Sequence, residues 1–336
     1  MDRFITLAGW DPATCHLLAA DASFRRYFRI DAPRRAVLMD APPDKEDITP
    51  FVAITEYLRS RGYTAPGILA IDTENGFLLL DDFGDDKFTG ILETATKNQE
   101  QELYRLAVDI LIDLHRAPPP TDLPVHSGGT YALPAYDADL FWNEASLFTD
   151  WYLPAIEGKE AAGIGRVEFE SLWRESFAVL DTQPRCLVLR DYHVDNLMLV
   201  RGNKGLAQVG LLDFQDAVIG PIAYDLVSLL QDARRNVPPA IEELILVAYL
   251  DAYPGLDREA FRMAYAVLGA QRNAKIIGIF TRLCRRDGKA RYLQLIPRVW
   301  KLLERDLAHP RLGGLKAWFD DRVPPETRQI PPTTNG

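Results

Sequence analysis

Asp191 and Asn196 stand five positions apart in Leu189-Arg190-Asp191-Tyr192-His193-Val194-Asp195-Asn196, and Asp213 closes a later apolar run, Leu211-Leu212. A carboxylate, an amide and a second carboxylate in this order suit metal-assisted phosphoryl transfer. One carboxylate can take the proton of an acceptor hydroxyl, and the other two groups can offer oxygens to Mg²⁺. Alone, Asp-x4-Asn is an ordinary polar turn in many acidic chains. The pair is more specific, because the two halves are separated by a strand, the turn Arg201-Gly202-Asn203-Lys204-Gly205 and a second strand.

The order and spacing resemble the catalytic and metal-binding loops of the protein-kinase superfamily. In detail, Asp191-x-His193-x-x-Asn196 is similar to the aminoglycoside phosphotransferase and choline-kinase branch, and so is Tyr224-Asp225-Leu226 after Gly220-Pro221. Leu189 and Arg190 depart from the His-Gly that usually precedes the aspartate there. The resemblance implies an α+β, two-lobed protein-kinase-like fold with a small antiparallel-sheet N-lobe and a larger, mainly helical C-lobe. It also implies ATP and Mg²⁺ as cofactors. Asp191 would accept the hydroxyl proton, Asn196 and Asp213 would hold the metal, and His193 would support the loop or contact the transferred phosphate.

The remaining chain must position those groups. Its 336 residues suit two lobes, and 47% hydrophobic with 26% charged residues is ordinary for a globular protein. Lobe limits are expected at 1–84 and 85–323, with 324–336, rich in Pro and Thr, as a loose tail. A net charge of −10 argues against a general nucleic-acid binder. No apolar run approaches the ~20 residues a membrane span needs, and no leader pattern is seen, so a cytoplasmic monomer is expected. Cys15, Cys186 and Cys284 lie far apart and read as buried apolar residues.

Three short apolar runs, His16–Ala19, Tyr27–Ile30 and Ala36–Met39, suggest an antiparallel meander. Between the first two lies Asp21-Ala22-Ser23-Phe24-Arg25-Arg26, where a kinase folds a loop over the ATP phosphates. It contains no glycine. Ser23 and backbone amides could reach the phosphates with Arg25 or Arg26 supplying charge; a plain polar hairpin is the alternative. The third run, Val37-Leu38-Met39-Asp40, lacks the lysine or arginine that kinases place there. Thr49 is expected to cap, and Pro50 to begin, a helix that Gly62 closes, with Glu56 on it as the candidate kinase-helix glutamate or as surface charge. Gly76–Leu80 then leads into Asp81-Asp82-Phe83-Gly84, the expected hinge, with Asp82 and Phe83 at the adenine.

Helical spacing begins after the hinge, with the stripe Leu103, Leu106, Ala107, Ile110, Leu111 and Leu114 ended by Pro118-Pro119-Pro120. Asp139 to Trp151 reads as one aromatic-rich helix in which Phe141 and Phe148 are core, while Glu144 and the tryptophans suit either the core or a sugar pocket. A helix is expected over Leu226–Arg234, another from Pro238-Pro239, and a long one from Asp257 to about Cys284. On that long helix Arg272 falls inside an apolar stripe, which requires an anionic partner, internal or from a ligand.

Charge is uneven along the larger part. From Tyr131 to Gln183 ten acidic residues face three basic ones, and from Ala270 to Arg305 ten basic residues face two acidic ones. Solvated helix faces account for most of these side chains. A finer resemblance narrows the acceptor. Asp21–Arg29, Met39–Pro43, Trp142–Glu144, Leu147–Trp151, Asp213–Ala217 and Gln271–Phe280 together look like bacterial anomeric kinases that phosphorylate N-acetylmuramate and N-acetylglucosamine in cell-wall recycling. That implies a small sugar substrate, a sugar 1-phosphate product, and Glu144 and Arg272 as candidate sugar contacts. An aminoglycoside kinase and a non-catalytic nucleotide-binding protein stay open as rivals.

Overall fold

The computed structural model describes residues 1–20, 24–125, 128–158 and 165–333. By internal contacts the chain divides into two compact units, one of Met1–Asp113, Pro120–Pro134 and Leu189–Ala217, the other of Leu114–Pro119, Ala135–Val188 and Val218–Gly336.

In the first unit a short helix α1 (Asp2–Leu7) precedes the strands β1 (Cys15–Ala20), β2 (Arg26–Ile30) and β3 (Ala36–Asp40). Helix α2 (Thr49–Ser60) follows, then β4 (Ile68–Asp72) and β5 (Phe77–Asp81). They form one antiparallel sheet in the order β1-β2-β3-β5-β4, with Arg26 opposite Asp40 and Val37 opposite Leu80. Alternation explains the sheet's core, since Ile30, Ala36, Leu38 and Leu79 are buried together with Ile5 of α1. The α2 helix begins differently from expectation. Thr49 is its first residue, not its cap, and the Asp47 carboxylate accepts from the Thr49 amide at 2.8 Å, doing the work expected of the threonine hydroxyl.

Helices α3 (Phe88–Thr94) and α4 (Lys97–Arg116) follow β5, then the two-stranded pair β6 (Asp122–Pro124) and β7 (Thr130–Ala132). The stripe expected on α4 is buried at Leu103, Ala107, Ile110 and Leu111. In the second unit α5 (Ala138–Ala145) is followed by a wide π turn, Phe148–Tyr152, and by α6 (Leu153–Glu157) and α7 (Arg166–Phe177). This corrects the single helix expected over Asp139–Trp151. One extra residue in the turn shifts the side-chain phase, so that Phe148, Thr149 and Tyr152 are all buried. Gly278 permits the packing, because a Cβ there would lie 2.3 Å from the Leu147 carbonyl carbon.

After β8 (Arg185–Val188), strands β9 (Leu197–Leu199) and β10 (Val209–Leu211) pair in the first unit, and β11 (Val218–Pro221) pairs with β8 in the second. The remaining helices are α8 (Tyr224–Leu230), α9 (Pro239–Asp251), α10 (Arg258–Asp287), α11 (Ile296–Leu307) and α12 (Gly313–Arg322). The α10 helix is capped by the Asp257 side chain, where the sequence places its start, and runs past Cys284 to end at Gly288 in the left-handed region. The α8 helix stops at Leu230, short of Arg234, and the next residue, Gln231, turns its amide onto Asp306. Residues 324–333 make contacts with the helices before them. Arg328 pairs with Glu304 and Asp320 and lies 4.8 Å over the Trp300 ring. The cysteines are unpaired, with Cys186 and Cys284 buried and Cys15 only half-buried. Among the described residues no helix is long and apolar enough to cross a membrane.

Candidate active site

The segment Leu189–Leu199 folds as a tight loop closed by its own backbone. The His193 amide donates to the Asp191 carbonyl at 3.1 Å, and the Asn196 amide donates to the His193 carbonyl at 2.9 Å. The Asn196 side chain ties both halves of the motif together, since Nδ2 donates to the Asp191 carbonyl at 3.0 Å and to Asp213 Oδ2 at 3.3 Å. Its amide hydrogens are thereby used on protein acceptors, which leaves Oδ1 as the oxygen it can offer a cation. Tyr192 anchors the loop from below by donating to the Ala107 carbonyl at 2.8 Å, and Thr89 of α3 donates to Asp195.

Two non-glycine residues of the site are left-handed, Arg190 at φ 67° and Asp213 at φ 58°. Such backbone costs of order 1–3 kcal/mol and persists where surrounding contacts over-determine it. For Arg190, Nη1 donates to the Asp216 carbonyl at 3.3 Å. For Asp213, the β9–β10 pairing fixes the chain up to Leu211, and the Leu212 amide donates to the Asn196 carbonyl at 3.0 Å. Gln215, buried, donates Nε2 to Asp213 Oδ1 at 2.8 Å. One carboxylate and one amide oxygen, approached from two loops, fit a Mg²⁺ that takes its other ligands from nucleotide phosphates and water.

Beside them lies a cavity of about 530 Å³ within the first unit. Val37, Leu80, Met198 and Leu212 give it apolar walls, and 81–84, Asn196 and Asp213 give it polar edges. Its size and apolar lining suit a nucleotide base and ribose. Among the described residues its cationic lining comes from Arg29 and Lys87, neither of which the sequence reading singled out. Arg29 is buried on β2, with Nη1 2.7 Å from Asp85 Oδ1, Nε 2.7 Å from Asp82 Oδ2 and Nη2 donating to the Gly84 carbonyl at 3.1 Å. A cation inside the alternating run Tyr27–Ile30 was the available signal. The Phe83 ring packs on Gly210, where a Cβ would come within 2.7 Å of it.

Of the residues expected at the phosphates, Ser23 lies outside the described residues. Arg25 is buried, with Nε 3.8 Å from Glu46. Burial opposes its charge, yet attraction to Tyr27, Asp213, Glu46 and Asp216 prevails and raises its pKa. Arg26 points elsewhere, exposed and 2.5 Å from Asp40 across the β2–β3 pair. In the second unit Glu144 is buried and accepts from Tyr136, from Gln271 at 3.0 Å and from Lys275 at 2.7 Å. Arg272 is buried too, and Nη2 donates to Ser228 Oγ at 2.8 Å. Both candidate sugar contacts therefore sit inside polar networks of their own unit.

A five-stranded antiparallel sheet with its helix between the third and fourth strands, followed by a mostly helical remainder, is the protein-kinase-like fold. Solved structures with this fold include an ADP-bound aminoglycoside phosphotransferase, 15% identical with a TM-score of 0.56 over 90% of this chain and 95% of that one. Another is a choline/ethanolamine kinase family protein from Mesorhizobium loti, 13% identical with a TM-score of 0.62 over 93% and 94%. Residues 14–261 match the APH family, described as phosphotransferase enzymes, and the chain belongs to it. It is 37% identical to the N-acetylmuramate/N-acetylglucosamine kinase of Caulobacter vibrioides over 97% of this chain and 96% of that protein. With the protein of the same name from Pseudomonas aeruginosa it shares 39% identity over 91% and 89%.

Proposed function

We propose that this phosphotransferase moves the terminal phosphoryl group of ATP to the anomeric hydroxyl of an N-acetylated amino sugar, N-acetylmuramate or N-acetylglucosamine, as a cytoplasmic monomer in cell-wall recycling. The observation that carries the reading is the Asn196 bridge, which draws the Asp191 loop and the Asp213 carboxylate together beside a nucleotide-sized cavity. The names of the full-length relatives support the sugar.

In this reading Asp191 orients the acceptor hydroxyl and takes its proton, and His193 holds the loop around it. Asn196 and Asp213 hold Mg²⁺, which when bound neutralises charge on the phosphates. Arg25, drawn toward Asp213 and Asp216, takes the place of the absent β3 lysine. The backbone at 81–84 meets the adenine edge. Asp82 serves there through its main chain, because its carboxylate is committed to Arg29. Glu144 and Arg272 contribute to sugar selection through the side chains they hold, Lys275 and Ser228.

ADP release with N-acetylmuramate, N-acetylglucosamine, kanamycin and choline, followed by phosphorus NMR of the product, tests the assignment. A glycosyl 1-phosphate from either acetylated sugar supports it. Efficient kanamycin phosphorylation with both sugars untouched would mean that the aminoglycoside reading is correct.

A further inference from the structure

The side chain of Gln215 serves no purpose in the roles assigned above, yet it is 6% exposed and its amide is split between two very different situations. Its Nε2 donates to Asp213 Oδ1 at 2.8 Å, while its Oε1 is buried with no hydrogen-bond partner among the described residues. The intervening Phe214 is fully buried and stacks on Phe51 of α2, ring centroids 5.3 Å apart, so the side chain of Gln215 stands on a fixed backbone. An orphaned amide oxygen costs of order 1–3 kcal/mol. Apolar residues of the same length, such as methionine, would avoid that cost, so packing alone does not account for a glutamine here.

We propose that Gln215 is a positioning residue of the metal site, an inference that rests on the reading of Asp213 as a metal ligand. By holding Oδ1, its Nε2 fixes the rotation of the Asp213 carboxylate and assigns Oδ2, the oxygen shared with Asn196, to the cation. Its Oε1 is the acceptor for a hydrogen that the loaded site brings, in keeping with the waters Mg²⁺ retains. Partners of this kind change metal affinity by about 10–100-fold when removed.

Mn²⁺ binding followed by electron paramagnetic resonance on the intact chain, with ADP and without acceptor, tests this independently of turnover. Gln215→Met should weaken Mn²⁺ binding by about 10–100-fold and leave metal-free ADP binding at the parental level. Parental Mn²⁺ affinity in Gln215→Met, with binding lost in Asp213→Asn, would overturn the role of Gln215 alone. Unchanged Mn²⁺ binding in Asp213→Asn would overturn the metal site, and this inference with it.

Discussion

The Arg29 guanidinium, on the second strand of the sheet, lies 2.7 Å from the buried carboxylate of Asp82, just after β5, and the same guanidinium reaches Asp85 and the Gly84 carbonyl. Asp82 Oδ1 in turn accepts from the Gly84 amide at 2.8 Å. One cation thus sets the path of the segment that edges the cavity beside Asp213. Breaking a buried pair by removing one partner leaves the other charged and unsolvated, at a cost of about 3–5 kcal/mol. Arg29→Ala should lose stability on that scale and bind ADP more weakly. The double variant Arg29→Met/Asp82→Leu should recover much of the stability in urea unfolding. Additive losses in the two single variants would show that the pair is not coupled.

The sheet and the fold of the Asp191 loop were legible in the sequence because alternation and motif spacing are local signals. Val37 and Leu38 face opposite sides whatever lies around them, and Asp191, Asn196 and Asp213 stand within one short span of the chain. What the sequence could not reveal depends on contacts made far along the chain. Arg29 meets residues more than fifty positions later, and Glu144 meets Gln271 and Lys275 on α10. The π turn at Phe148–Tyr152 is equally invisible to a helical wheel, since one inserted residue changes the phase without changing composition.

Arg25 and Arg26 are neighbours with opposite surroundings, which separates them experimentally. Arg25 is buried within the field of Asp213 and Asp216, whereas Arg26 is spent on Asp40. Arg25→Ala should reduce ATP affinity by roughly tenfold or more while adenosine affinity changes little, because only ATP carries the phosphates. Arg26→Ala should leave both nearly unchanged. Isothermal titration with the two ligands measures this, and equal losses for ATP and adenosine in Arg25→Ala would point to a folding effect.

Asp191→Asn keeps the backbone contacts of the loop, which use the Asp191 carbonyl and amide. The substitution removes the proposed proton acceptor. Turnover should fall by ~10²-fold or more with ADP binding close to parental. Asp213→Ala should lower both turnover and the Mg²⁺ dependence of nucleotide binding. A steady-state comparison with ADP titrations distinguishes the two, and parental turnover in Asp191→Asn would remove that residue from the chemistry.

Asp306 of α11 predicts how stability changes with pH. Its carboxyl is fully buried against α10, accepting from Gln231 at 2.9 Å and from Asn273 at 3.1 Å, with the Gly269 backbone close enough that a Cβ there would lie 2.4 Å from Oδ2. Burial pushes its pKa from 3.8 up to about 8, against the pull of nearby Arg305. The unfolded chain ionises this group near its ordinary value while the folded chain keeps it protonated, so between these limits the unfolded state binds fewer protons. Stability from this group is therefore complete at low pH and lost as pH rises toward 8. A difference of this size corresponds to on the order of 5 kcal/mol. Asp306→Asn presents a neutral group of the same shape, so its stability relative to the parent should rise by a few kcal/mol between about pH 5 and pH 8. Urea unfolding of both proteins across that range measures the difference, and parallel stability curves would mean that Asp306 is already ionised in the fold.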